Sequence, residues 1–563
     1  MNRPVSDAER LNTAGDAVLV RRAASEPMVA LALGQAPRSL GSVAMDKVQA
    51  DATFYATVGS QLLALNAQAL TPAQRAFWRA MQTDLGHRVE AARHHTLDFM
   101  LTPYRGGDLH VEAREAFAAH RLADATDREA YLDLLRDYAR LLDELFDHTS
   151  SQVAQGLRLA AAAVPLARAT LADLAQGLPS MVTPHVTRLA QTDAATASAF
   201  LARVLRVQQD ELAPRLRRLQ CLLEGDGLAR APRNVGLHHY AGGEAAYAFL
   251  VRQRADSALT PQQIHQLGLD EIEQLQAAKA GLRARLAPGL SAEAFDETLR
   301  RDVRWKARTP LEVERCFCSH MERITPLLPQ WFGRLPQAGW AVTRADPSTE
   351  RGMSYGYYQP PTLQQPVGHY RYNGHAVEER TLIGAAHLIY HELMPGHHLQ
   401  IALQREGPAV HALQGQIQSM AAVEGWAVYA SELACEMGAV QDHSLYGHCV
   451  MQSWIAARLV VDTGLNALGW SLERARTFMR EHTMETPAVI DAELLRYATD
   501  IPAQALAYGL GKRAIQAERE RARASCGSAF DIRAFHDAAL EVGGLPLPVL
   551  AGRIDELIAG GPA

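Results

Sequence analysis

Between residues 45 and 235 apolar side chains recur at three- and four-residue steps with few glycines between them, the spacing of amphipathic helices. In 128–146 the series Tyr131, Leu134, Leu135, Tyr138, Leu141, Leu142 and Leu145 marks one such face. The stretch 204–223 repeats the pattern, and Pro214, which lacks an N–H donor, is expected to kink or split it. Residues 231–243 carry Pro232, Asn234, Gly236, Gly242 and Gly243 and predict a hinge or lobe boundary. They divide an N-terminal helical region, 1–235, from a second region, 236–563. Thr260, Pro261 and Gln263 spell a helix start: an N-cap, a first-turn proline and the partner of a capping box. The charged run that follows, to Arg285, reads as one exposed amphipathic helix.

The pattern changes in 336–374. Glycines, prolines and the tyrosines Tyr355, Tyr357, Tyr358, Tyr370 and Tyr372 suit short strands or loops, either one wall of a cleft or a plain surface hairpin. Helical spacing returns at Glu379 with Ile383, Ala386, Leu388, Ile389 and Leu393. Helices are predicted at 411–437, 444–468 and 471–482, the last capped by Ser471. The expected fold is mostly α: two helical lobes around a central cleft, with a small β element.

Composition agrees. The chain has 563 residues, enough for a large core, with 6% aromatic residues and an abundance of good helix formers. A net charge of −6, with both signs mixed along the chain, gives no case for nucleic acid or an anionic membrane as partner. No apolar run reaches the roughly 18 residues of a membrane span, and Met28 to Leu33 is too short for a signal-peptide core. Six cysteines are too sparse for a disulfide scaffold, and Cys316 and Cys318 have no second pair at zinc-site spacing. Reduced thiols and a cytoplasmic location are expected.

The chemistry concentrates in His391-Glu392-Leu393-Met394-Pro395-Gly396-His397-His398 and in the later Glu424-Gly425-Trp426-Ala427. Two imidazoles and a carboxylate can hold zinc with one position open for water, and a second carboxylate can take a proton from that water. In the familiar zinc-peptidase motif the second His stands four residues after the first; here that position is Pro395. On an unbroken helix turning about 100° per residue, His398 returns to the face of His391 about 10 Å further on, and His397 points about 120° away. Pro395 clashes with the carbonyl of His391, and Gly396 permits unusual backbone angles, so the helix is expected to bulge or break between the imidazoles. A two-residue loop could return His397 to the metal. Other readings stand beside this one. His397 and His398 could merely cap a helix, His387 and His391 are themselves four apart, and Glu392 could be a surface residue.

These residues resemble the domain-of-unknown-function 885 family, whose signature is His-Glu-x-x-Pro-Gly-His, usually followed by His or Tyr. Glu424-Gly425-Trp426-Ala427 resembles its second block and Val461-Asp462-Thr463-Gly464-Leu465 its third. Arg496-Tyr497, Pro502 and Gln504 to Gly511 resemble its fourth. The resemblance is specific from about 350 to 515. Two departures stand out: Asn466 where the third block usually ends in His, and Pro502-Ala503-Gln504 in place of Pro-Gly-Gln. The family is similar in turn to helical zinc peptidases of the gluzincin type, such as neurolysin and carboxypeptidase Taq. Dipeptidyl peptidase III carries one extra residue in its motif; this chain carries two.

Aligning the Gly-His pairs selects His397 over His398, and the gluzincin resemblance implies Glu424 as third ligand. It implies a zinc metallopeptidase acting on short peptides by attack of metal-bound water, with Glu392 as general base. Tyr508 is the candidate oxyanion donor, with half-buried packing as the plain alternative. Arg496 could bind a substrate carboxylate, or pair with Glu493 on its own helix. Arg458 and Asp462, four residues apart, read as a structural pair, with Asp462 a candidate for orienting a ligand His. A zinc hydrolase of non-peptide amides and a non-catalytic metal- or peptide-binding protein are the alternatives. Retention of Glu392 argues against the last.

Overall fold

The computed structural model describes residues 5–224, 230–350, 353, 355–362 and 365–560. The protein is 71% helical, with one small three-stranded sheet. The periodicity around 128–146 belongs to a longer helix, Ala125–Ala154, whose start is fixed by the Asp124 side chain accepting the N–H of Asp127. Its apolar face, Tyr131 to Leu145, is buried against helices drawn from 164–222. Near Pro214 the helix widens rather than splits: helix Ala194–Arg206 runs without a break through a π turn, Val207–Leu212, into helix Ala213–Leu222. The wider turn stands directly before Pro214, the residue that has no N–H to donate.

The cores do not divide at residue 235. Leu11 to Leu85 share one core with Ala307 to Ile554, while Leu40 to Leu223 form another. The turn-rich 231–243 segment is docked against the end of helix Asp442–Asn466. Gly236 has φ 83°, and a Cβ there would stand 2.0 Å from the Leu465 carbonyl oxygen. Leu237 N–H donates to Asn466 Oδ1 at 3.1 Å.

Helix Pro261–Leu286 starts with the capping box of Thr260 and Gln263. It is less exposed than its charge suggests, since Ile264, Gly268, Glu271, Ile272 and Leu282 are buried. Gly268 permits the close approach, because a Cβ there would meet Leu459 Cβ at 2.9 Å. Helix Asp442–Asn466, against which it lies, is buried along almost its whole length.

The Gly- and Tyr-rich segment forms β1 (Gly339–Arg344), β2 (Gly356–Gln359) and β3 (Val367–Tyr372), in the order β1-β3-β2. β1 runs parallel to β3, Gly339 opposite Val367, and β2 antiparallel, Gly356 opposite Tyr372. Alternation along β3 buries Gly368, Tyr370 and Tyr372. The helix expected over 411–437 starts only at Met420: Ala412–Gln416 is a 3-10 turn, and Ser419 caps the helix by accepting the N–H of Ala422. Helix Leu472–His482 begins at Ser471 as expected.

Candidate metal and catalytic site

The site begins with a helix that stops. Helix Ala385–Glu392 ends as Leu393 takes φ −106°, ψ −110°, and a second helix, His397–Glu406, starts after the turn. The turn holds a cis Met394–Pro395 peptide bond. Gly396 is required there, because a Cβ would lie 1.9 Å from the His391 carbonyl oxygen. The turn is tied down from outside by Trp426, whose indole N–H donates to the Pro395 carbonyl at 3.0 Å. Trp426 lies two residues after Glu424 on helix Met420–Glu436, so one side chain locks the turn to the helix that carries Glu424.

The break brings His391, His397 and Glu424 together. Their donor atoms all lie within 4.8 Å of one another. Glu424 Oε2 is 3.4 Å from His391 Nε2 and 3.5 Å from His397 Nε2, and the two rings stand at 81°. Among the described residues this is the group of three whose chemistry fits a metal ion. Burial alone would raise the Glu424 carboxyl, but His397 and His391 hold it well below the usual carboxylate range. Two imidazoles and an ionised carboxylate suit zinc and leave a coordination position free.

His398 faces elsewhere. Its Nε2–H donates to the Ala338 carbonyl at 3.0 Å, and its Nδ1 accepts the Tyr358 hydroxyl at 2.9 Å. Gly368 makes room, since a Cβ there would lie 2.5 Å from His398 Nδ1. His387 stacks 6.3 Å from the His391 ring but is not part of the group, its Nδ1 lying 3.1 Å from His448 Nδ1.

Glu392, next to His391, is the other acid of the site. Burial raises its pKa, the charges of His391 and His397 oppose this, Glu424 adds to it, and the Tyr358 backbone N–H stabilises the carboxylate. Tyr508 closes another side. Its ring stacks 6.4 Å from that of His391 with planes 14° apart, and the Arg458 guanidinium lies 4.6 Å over it. Burial first, and then Glu424, push its hydroxyl up to about 12.

Over residues 27–554 the chain matches the family model described as a bacterial protein of unknown function (DUF885). The chain belongs to this family. Its fold is shared by a structure described as the putative lipoprotein from Colwellia psychrerythraea, at 21% identity and a TM-score of 0.83, with 99% of this chain and 100% of that one covered. A second, described as a putative lipoprotein of unknown function from Shewanella oneidensis, is 16% identical with a TM-score of 0.73, covering 97% and 99%. A comparison with curated proteins gives no match.

Of the other residues of this DUF885 chain, Arg496 takes the local pairing that spacing offered, and Arg458 and Asp462 do not pair as expected. Arg496 donates to Glu493 at 2.6 Å, the same-helix pairing, within a network in which Arg458 reaches Glu493 at 3.2 Å and Tyr497 at 2.8 Å. Arg458 and Asp462 therefore do not form the expected pair. Asp462 accepts from the Tyr247 hydroxyl at 2.6 Å and the Ala503 N–H at 3.0 Å, so it orients neither ligand imidazole. It holds the turn before helix Leu506–Cys526, where Ala503 has φ 66°. Asn466 donates to the Asp462 and Tyr497 carbonyls, both at 3.0 Å, a purely structural set of contacts. Tyr358 and Trp426 were missed as site residues. The tyrosine cluster and the Gly-Trp block were the visible signals, but nothing in them named a partner. Two larger cavities, of about 590 and about 1090 Å³, lie elsewhere and are not lined by His391, His397 or Glu424.

Proposed function

We propose that the protein is a zinc-dependent hydrolase of short peptides, related in design to the gluzincin peptidases. The observation that carries this reading is the convergence of His391, His397 and Glu424 within 4.8 Å, with the half-buried Glu392 next in the chain to one of them. Zinc held by these three groups supplies Lewis acidity, acidifying water and polarising a carbonyl. Glu392 is the general base: it takes a proton from the attacking water and passes it to the leaving amine. Tyr508 keeps its hydroxyl proton at neutral pH and donates to the oxyanion as it forms. Arg458, over the Tyr508 ring and anchored on Glu493, fixes that ring in place. Arg496, committed to Glu493, is not assigned a substrate.

Elemental analysis of the purified protein together with a peptide-library cleavage profile tests the reading. About one zinc per chain and cleavage that depends on Glu392 support it. Zinc without cleavage of any peptide moves a non-peptide amide substrate, or a binding role, ahead. No helix among the described residues is long and apolar enough to cross a membrane. We place the chain in the cytoplasm because its cysteines are few and all free among the described residues. The lipoprotein descriptions of both structural relatives favour an anchored location as second reading, and cell fractionation separates the two.

A further inference from the structure

Helix Ala385–Glu392 carries more than the site. Leu388 and Ala385 stand four and seven residues before Glu392, which places all three within about 40° of one face, at about 6 and 10 Å along the axis. On that face lies a cavity of about 80 Å³. Leu388, Ala385, Leu382, Val450, Met451 and Met484 supply much of its wall. Tyr355 and Glu485 also line it, the tyrosine hydroxyl donating to the carboxyl at 3.2 Å.

Two links join the cavity to the chemistry. Tyr370 donates its hydroxyl to the Tyr355 carbonyl at 3.2 Å, and the Glu392 charge acts on that hydroxyl. On another side the charge of Arg458, the cation over Tyr508, acts on Glu485. Protein interiors are packed as densely as organic crystals, so such a void is uncommon, and its largely apolar wall suits an apolar group better than water. Pockets for whole ligands run to about 300 Å³ and more, so this one has room for a single side chain. One acid and one base, Glu485 and Arg380, line it and leave no net charge to favour a charged occupant. Met451 and Met484 give it walls that adapt.

We propose that this pocket receives one uncharged apolar side chain of the substrate, of leucine, methionine or phenylalanine size, beside the bond on which Glu392 acts. The proposal rests on the hydrolase reading for its setting, but binding tests it independently. Calorimetric titration of the purified full-length protein with N-acetyl-leucinamide is expected to show binding at least about 10-fold tighter than N-acetyl-alaninamide, the usual scale for filling an apolar pocket. Met451→Trp, with its fold checked by circular dichroism, should abolish that preference. Met451→Ala, which enlarges the pocket, should shift preference to N-acetyl-phenylalaninamide. Equal affinity for the leucine and alanine probes, no binding of either, or an unchanged preference in both variants overturns the assignment. Selective binding without cleavage of any leucine-containing peptide by the zinc-loaded protein removes the hydrolase reading and leaves the pocket standing. Cleavage indifferent to the side chain does the reverse.

Discussion

Gly425 and Gly511 meet backbone to backbone: a Cβ on Gly425 would lie 2.4 Å from Gly511 Cα, and one on Gly511 would lie 2.0 Å from the Ala421 carbonyl oxygen. Glu424 precedes the first glycine and Tyr508 stands one turn before the second. The contact therefore sets how near Tyr508 comes to His391, His397 and Glu424. Gly425→Ala or Gly511→Ala forces the helices apart, and a loss of about 1–3 kcal/mol is expected from overpacking. Denaturant unfolding measures it, and zinc affinity should fall with it. An alanine variant with unchanged stability would show that the helices can part freely.

His397→Ala should strip the metal, while His398→Ala should retain it. The second variant leaves the Tyr358 hydroxyl without its acceptor, so it should still lose about 1–3 kcal/mol of stability. Zinc content by elemental analysis and melting curves read the two effects separately. The opposite pattern of metal loss would assign the ligand to His398.

Glu392→Gln keeps size and hydrogen bonding but removes the base. Normal folding, retained zinc and at least about 100-fold slower peptide hydrolysis are expected. Tyr508→Phe should lower kcat with less effect on KM, as for a donor that acts on the oxyanion. Turnover by Glu392→Gln at the wild-type rate would rule out the mechanism proposed here.

Acid should destabilise the fold through histidines outside the His391, His397 and Glu424 cluster. His536 donates to the Trp331 carbonyl at 2.8 Å and accepts from Tyr429 at 2.7 Å, and burial drops its pKa to about 3. Burial likewise lowers His110 to about 4. Both lie below the unfolded imidazole value of about 6.5, so the unfolded chain takes up these protons first as pH falls. Stability is full above about pH 6.5 and is lost toward pH 4, by about 2 kcal/mol for each histidine between pH 7 and 5. Unfolding at the two pH values checks this, and His536→Gln should flatten the slope.

What could be read from the chain alone was local. Helical periodicity at Tyr131 to Leu145, the cap at Thr260 and the widened turn before Pro214 each follow from neighbours within a turn or two. The break at Pro395-Gly396 is of the same kind, since a missing N–H and a crowded Cβ act on the adjacent carbonyls. Tertiary structure decided what depends on distant partners. His397 and His398 are adjacent, and spacing alone left both open. What turns His398 away from the cluster is the carbonyl of Ala338 and the hydroxyl of Tyr358, brought in by the sheet. Arg458 found Glu493 and Tyr497, and Asp462 found Tyr247 and Ala503, because a buried charge settles on whichever donors or acceptors the packed helices deliver. The parallel pairing of β1 with β3 needed a long connection, and no local pattern encodes where such a connection returns.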